Sequence, residues 1–289
     1  MSFSMGFYMA VQWFPGHMTK AKKDFEKNLK HNDMVIEVVD ARLPKSSENP
    51  MLNQIIKNRG KPHLKLLNKS DIADESITKS WIKEFNQLKD TMSLAVSAKN
   101  KKDRISIKEA CFSLVPHRGT SIKPVRAIII GIPNVGKSSL INLITQRKIA
   151  KTGDVPAVTQ MQQRIIVDEE FILTDTPGLM WPKIEDETQG NYLAASNIIG
   201  IKAYDDTEAA LYLLDYLKVH YKNLLIKRYQ ISAEECEQPS EVLIELIAIK
   251  KHLVVKGGQS DIKKTSVMIL QDYRHQKIGL VSLEKPEKD

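Results

Sequence analysis

The chain has 289 residues, enough for two domains, and its 42% hydrophobic and 27% charged residues support a packed core and exclude a disordered chain. Cys111 and Cys236 lie far apart with no Cys/His cluster around them, which argues against a disulfide framework or a zinc site, and no apolar run approaches the roughly 18 residues of a membrane span. The net charge of +8 favours polyanionic partners, nucleic acid first among them, although a merely soluble basic protein would carry the same charge.

The opening MSFSMGFYMAVQWF is apolar but lacks a charged leading region. No signal peptide is therefore expected, Met5 and Met9 are alternative starts, and a reducing, cytoplasmic setting fits. TKAKKDFEKNLKH (19–31) reads as a short polar helix, and MVIEVVD (34–40) as a buried strand. Ser46 to Lys57 resembles a helix entry with Pro50 near its start; HLKLLN (63–68) is a second strand. A helix from Glu75 to Leu88, the strand MSLAVSA (92–98) and a helix in ISIKEACFSLV follow. KPVRAIIIG (123–131) is a fourth strand leading into the helix SSLINLITQ, and QQRIIVDEEFILTD reads as two strands turning at Asp168–Glu169. This alternation predicts an α/β fold, a mostly parallel sheet with helices on both faces. Beyond Pro182 the pattern becomes helical, with a further strand expected only at IGLVSLE. The expected division is an α/β domain over 11–184, with its N-terminal helical segment, and a helical domain over 185–289.

The strongest local signal is GIPNVGKS, Gly131 to Ser138, between a strand and a helix. Its backbone N–H groups from Asn134 through Val135, Gly136, Lys137, Ser138 and Ser139 are expected to curl around phosphates. Lys137 supplies a point charge there, and the Ser138 hydroxyl a Mg²⁺ ligand. DTPG, Asp175 to Gly178, closes the strand FILT; Asp175 is placed to hold Mg²⁺ through water and Gly178 N–H to reach a γ-phosphate. Thr159, between these loops, is the third expected contributor to the Mg²⁺ shell.

NKSD, Asn68 to Asp71, follows strand HLKLL as a base-reading loop. The Asp71 carboxylate can accept from guanine N1–H and the 2-amino group, a pairing that adenine lacks. Asn68 is expected on the other edge of the base and the Lys69 stem over its face. In SAK, Ser97 to Lys99, the Ala98 N–H is expected to face guanine O6. Each loop alone is a common turn; together they specify guanine. Their order is inverted relative to ordinary GTPases, base loops before phosphate loops, which implies a circularly permuted P-loop GTPase domain. The DTPG loop then directly precedes the helical region, where a nucleotide-dependent switch can act on it. Asp40 and Arg42 in DARLP read as a strand end and receive no chemistry.

QWFPGHM (12–18), DARLP (40–44), NKSD, SAK, GIPNVGKSSLIN, DTPGLMWPK (175–183) and KGGQSD (256–261) together resemble the ribosome biogenesis GTPase A (YlqF-like) family, over nearly the whole chain from Val11. The resemblance implies GTP and GDP as ligands, Mg²⁺ as cofactor, slow hydrolysis stimulated by the large ribosomal subunit, and a role in late assembly of that subunit. It also implies that Asn134 helps coordinate a K⁺ standing in for an arginine finger. One departure is Ala157, where the family has glycine.

Leu179 occupies the place where many GTPases have a water-orienting glutamine, so intrinsic turnover is expected to be slow. The substitute is His17 in FPGHM, read as a mobile or sharply folded Pro-Gly turn before a basic helix; the resemblance assigns catalysis to this histidine. Lys20, Lys22, Lys23 and Lys27 form one basic set, Lys218, Lys222, Lys227 and Arg228 a second, and Lys250, Lys251, Lys256, Lys263 and Lys264 a third. With the resemblance, rRNA binding by the helical domain is preferred to solvated helix faces. A monomer without membrane association is expected. The competing readings are an RNA-modification factor, for which no catalytic cysteine or cofactor site is evident, and a GTP-dependent RNA adaptor with negligible hydrolysis.

Overall fold

The computed structural model describes residues 15–150, 163–178, 184, 186–200 and 204–286, with side chains described from residue 22. Six strands form one sheet: β1 (Met34–Asp40), β2 (His63–Asn68), β3 (Thr91–Ala95), β4 (Val125–Ile130), β5 (Gln163–Asp168) and β6 (Phe171–Asp175). Their order is β3-β2-β1-β4-β6-β5, parallel throughout except for the β5–β6 hairpin at one edge. The central strands are largely apolar on both sides because both faces are covered, the buried Glu37 of β1 being paired with Lys65 of β2 (2.6 Å). Met34, Ile36 and Val38 of β1 enter one cluster with Leu64, Leu66, Ala127 and Ile129. Val35 faces the other way, with Ile128 and Ile130.

Helices α1 (Pro15–His31) and α2 (Pro50–Arg59) cover that second face, Phe25 and Leu29 of α1 packing with Leu52, Ile55 and Ile56 of α2. α3 (Glu75–Phe85) brings Ile77, Trp81 and Phe85 against Val39 and Leu67. α4 (Asp103–Leu114) and α5 (Lys137–Thr145) contribute Ile107, Cys111, Leu140 and Ile144 to the first cluster. That cluster continues without a break into α6 (Glu187–Ala195), α7 (Asp206–His220), α8 (Lys222–Tyr229), the short α9 (Ala233–Cys236), α10 (Ser240–Lys250) and α11 (Ile262–Arg274).

Two expectations need correction. FPGHM is not wholly a turn: the backbone is helical from Pro15, where proline sits at a helix start with its fixed φ and its missing N–H costs nothing. The polar helix expected from residue 19 therefore begins four residues earlier and includes His17. IGLVSLE forms no strand. Gly279 takes φ +137, and the segment is held by scattered contacts: Leu283 N–H donates to Arg42 O (2.7 Å) and Trp81 Nε1–H to Glu284 O (3.1 Å), while the Glu284 carboxylate accepts from Lys45 N–H (2.8 Å).

Parallel strands deliver their C-terminal ends to one edge of the sheet, where the order reverses around β1 and β4. Asp40 of β1 stands opposite Asn68 of β2, and Asp175 closes β6 on the far side of β4. α1 is long enough to reach the same edge. It enters β1 through only Asn32 and Asp33 and packs on Ile128 and Ile130, so it runs back along the sheet. Its turns from His17 to His31 span about 21 Å, against about 20 Å for the β1 strand. The Asp33 carboxylate, bonded by Arg126 (2.9 Å) and Arg118 (3.1 Å), fixes the helix at the opposite end.

Candidate functional site

The phosphate loop turns between β4 and α5. Gly136 has φ +94, and a Cβ there would stand 2.2 Å from Asn68 Nδ2. Only glycine lets the base-reading loop approach the phosphate loop this closely. α5 begins at Lys137 with no side-chain cap and no acidic residue in its first turn, so its N-terminal N–H groups remain for an anion. Lys137 Nζ lies 2.9 Å from Asp175 Oδ1, both side chains being buried. The lysine expected at the phosphates and the carboxylate expected at Mg²⁺ thus stand in contact. The Ser138 hydroxyl and the Asp175 carboxylate are hard oxygen donors of the kind Mg²⁺ prefers, and the donor set fits that ion. Thr176 Oγ1–H donates to Ile129 O (2.8 Å), clamping DTPG to β4, and a Cβ at Gly178 would meet Pro133 N at 3.2 Å. Thr159, Ala157 and Leu179 lie outside the described residues, as does the side chain of His17.

On the base side, Lys69 adopts a left-handed conformation at φ 62, and a single 3₁₀ turn, Ser70–Ile72, presents Asp71. Lys99 Nζ reaches Asp71 Oδ2 at 2.7 Å, joining NKSD to SAK. Burial alone would raise the Asp71 carboxyl, but hydrogen bonds from Lys99 and Ser97 bring it below its ordinary value. It is therefore a preformed acceptor at neutral pH. Asp103 Oδ2 accepts from Ser97 N–H (2.7 Å) and the Ser97 hydroxyl from Lys99 N–H (3.2 Å), which holds the SAK turn. Beside it opens a cleft of about 810 Å³ lined by Ala98, Lys99, Arg104, Ser139, Leu143 and Lys148. The cleft connects the base loop to the outer face of α5, where a base and ribose have room.

Asn68 has a structural bond besides the base contact expected of it. It is 2% exposed and its Nδ2 donates to Val135 O (2.8 Å), so the residue ties the base loop to the phosphate loop. A second N–H on the same nitrogen remains for a base edge. Its buried Oδ1 has no partner among the described residues, an orphan of the kind found where a ligand belongs. Lys69 Nζ donates to Asn134 O (2.9 Å) and to Asp40 Oδ2 (2.8 Å), which stretches the stem across the base position. Asn134, at φ 60, donates its Nδ2 to Asn197 O (3.0 Å) just beyond α6, leaving Oδ1 as a neutral oxygen donor suited to a monovalent cation.

Asp40 and Arg42, assigned no chemistry from the sequence, belong to this site. Arg42 grips Asp40 with Nε (2.9 Å) and Nη2 (2.8 Å), both residues being buried. Burial opposes both charges, but each holds the other ionised: Arg42 and Lys69 keep the Asp40 carboxyl far below the usual range, and Asp40 keeps Arg42 far above its own. The Arg42 cation also lies 5.0 Å from the Tyr273 ring centroid, and Nη2 donates to Ser196 O (3.2 Å). The available signal was two opposite charges at the end of a mostly apolar strand, at the same edge as NKSD.

The basic sets divide on inspection. Lys218, Lys222, Arg228 and Lys250 pair with Asp215, Glu237, Asp272 and Glu235. Lys251 lies over the Tyr229 ring. Lys22, Lys23 and Lys27 on α1 and Lys256, Lys263 and Lys264 near the start of α11 are exposed. Among the described residues no helix is long and apolar enough to cross a membrane.

Residues 126–252 match the family model described as 50S ribosome-binding GTPase. The chain is 42% identical to Ribosome biogenesis GTPase A of Bacillus licheniformis over 96% of its length and 99% of that protein. It is 32% identical to Mitochondrial ribosome-associated GTPase 1 of Mus musculus, covering 95% of this chain and 90% of that one. A GNP-bound YlqF from T. maritima superposes with a TM-score of 0.62 at 24% identity, over 93% of this chain and all of that one, a likeness of fold. Guanine-nucleotide binding and the permuted strand order are thereby placed together.

Proposed function

The chain belongs to the ribosome biogenesis GTPase A family, and from that premise we propose that it is a GTP-hydrolysing switch acting in late assembly of the large ribosomal subunit. One observation carries the reading: the base loops, the phosphate loop and DTPG converge at one sheet edge, where Asn134 also bonds the residues following α6. A change at the phosphates can therefore be felt by the helical region. Residues 11–184 would form the GTPase domain and 185–289 the helical, RNA-facing domain. In this scheme Asp71, Asn68, Lys69, Ser97 and Ala98 select the base, and the loop from Asn134 to Ser139 with Gly178 holds the phosphates. Ser138, Asp175 and Thr159 would hold Mg²⁺, which would supply charge neutralisation at the phosphates. Lys137 steadies the same oxygens.

The test is co-sedimentation with purified large subunits. Binding should be stronger with a non-hydrolysable GTP analogue than with GDP. If Lys22, Lys23, Lys27, Lys256, Lys263 and Lys264 all neutralise phosphates, affinity should fall roughly 10³-fold between 50 and 200 mM salt. Equal binding in both nucleotide states would reject the switch. Nucleotide-dependent binding with no detectable turnover, alone or with subunits, would favour the RNA adaptor.

Asn134 yields a second expectation. Since its amide nitrogen is committed to Asn197 O, its oxygen is oriented by the fold. Hydrolysis should be faster in KCl than in NaCl at equal ionic strength, and Asn134→Ala should remove the difference. Equal rates for the unmodified protein in the two salts would rule out K⁺ at this position.

A further inference from the structure

A closed ring of hydrogen bonds joins the two nucleotide loops to the turn that ends α6. Lys69 Nζ donates to Asn134 O (2.9 Å), and Asn134 Nδ2 to Asn197 O (3.0 Å). The neighbouring carbonyl, Ser196 O, accepts from Arg42 Nη2 (3.2 Å); Arg42 holds Asp40, and Asp40 Oδ2 accepts from Lys69 Nζ (2.8 Å). The preceding carbonyls, Ala194 O and Ala195 O, are taken by Arg274 at 2.8 Å each. The C-terminal end of α6 carries the negative end of the helix dipole and would otherwise expose orphan acceptors. Here these acceptors are satisfied from α11, from the phosphate loop and, through Arg42, from the base loop.

We propose that Arg42, oriented by Asp40, is a positioning residue that couples guanine occupancy at Lys69 to the conformation of the α6 C-terminal turn, giving the helical region a reading of the base separate from its reading of the phosphates. This rests on the guanine-nucleotide reading above and extends it. A base stacked against the Lys69 stem restricts that side chain to the rotamer that bonds both Asp40 and Asn134. Asp40 then keeps Lys69 on Oδ2, so the Arg42 guanidinium, which bonds both carboxylate oxygens, has one low-energy orientation, the one aimed at Ser196 O. Without the base, Lys69 has more freedom and the ring can open at the Asp40–Lys69 bond. The coupling requires that the turn be held differently in the two states, and Arg42 supplies the differential contact. Its guanidinium is suited to this because a planar fork can bond Asp40 and Ser196 O while lying over Tyr273; a lysine cannot do all three.

The experiment measures backbone hydrogen exchange on the full chain, with and without GDP or a non-hydrolysable GTP analogue, for the unmodified protein, Arg42→Lys and Asp40→Asn. The quantity read is the nucleotide-dependent slowing within one protein, since general destabilisation speeds exchange in both states and largely cancels. In the unmodified protein, nucleotide should slow exchange both in the phosphate loop, 131–138, and at 193–198. In Arg42→Lys the slowing at 193–198 should shrink about fivefold or more, the lower range of typical inter-site couplings, while the phosphate-loop slowing persists. Asp40→Asn, nearly isosteric, should do the same and serves if the lysine variant fails to fold. Undiminished slowing at 193–198 in a folded variant would overturn the proposal. Slowing of the phosphate loop without any at 193–198 in the unmodified protein would overturn the coupling alone; absence of both would remove the guanine-nucleotide reading with it.

Discussion

Asp71→Asn should convert a GTP-preferring protein into one that prefers xanthosine triphosphate. The Asp71 carboxylate is presented by the Ser70–Ile72 turn, and hydrogen bonds from Lys99 and Ser97 keep it ionised. An ionised carboxylate has only acceptor sites, matching the N1–H and 2-amino donors of guanine. An asparagine amide puts a donor in front of that amino group. Xanthine replaces the amino group with a carbonyl oxygen, which the amide can bond. Two groups change from paired to unpaired for GTP, at about 1–3 kcal/mol each. The ratio of GTP to xanthosine triphosphate affinity should therefore move by on the order of 10²–10⁴. Competitive titration of both nucleotides against a fluorescent GDP analogue reads this ratio directly. A variant that still prefers GTP would mean that Asp71 does not read the base. The substitution should not unfold the protein, because Asp71 is partly exposed and lies outside the three apolar clusters.

His17→Ala should reduce subunit-stimulated hydrolysis by about 10²–10⁴, the range for a positioned acid–base group, with GTP affinity nearly unchanged. The first reason is an absence: Leu179 offers no hydrogen bond to an attacking water. The second is the path of α1. The helix is pinned at its C-terminal end by Asp33 with Arg126 and Arg118 and in its C-terminal half by Phe25 and Leu29, and it is long enough to run back to the sheet edge that carries Gly131 and Asp175. His17 lies in its first turn. A basic helix pinned at one end and carrying the candidate group at the other is suited to being pressed inward by RNA bound to Lys22, Lys23 and Lys27. Rate and affinity must be measured on the same variant. Stimulated turnover within a few-fold of the unmodified protein would remove His17 from the mechanism. A collapse of GTP affinity as well would make the residue structural.

Much of this protein is set by short-range information. The strands at 34–40, 63–68 and 125–130 are largely apolar runs long enough to cross a sheet covered on both faces, and NKSD, SAK, GIPNVGKS and DTPG are motifs whose chemistry is contained in three to eight consecutive residues. Their order alone was enough to reveal the permutation, because parallel strands must bring their C-terminal ends to the same edge whatever the order of synthesis. A residue whose role depends on a partner far along the chain gave no such signal. Asn68 looked like a base ligand, yet its amide also holds Val135, 67 residues away. Arg42 looked like the end of a strand, but its contacts are with Ser196 and Tyr273. Lysines that looked like an RNA-binding set on α7 and α8 are largely neutralised by carboxylates that pattern reading could not place beside them. IGLVSLE, apolar enough for a strand, found side-chain and isolated backbone partners instead of a sheet edge. The sequence by itself thus determined which nucleotide chemistry is present and in what order, since each loop binds through its own backbone and neighbouring side chains. Only the tertiary structure decided how those loops are joined to one another and to α6, since a hydrogen bond or ion pair between distant segments depends on the closure of the whole fold.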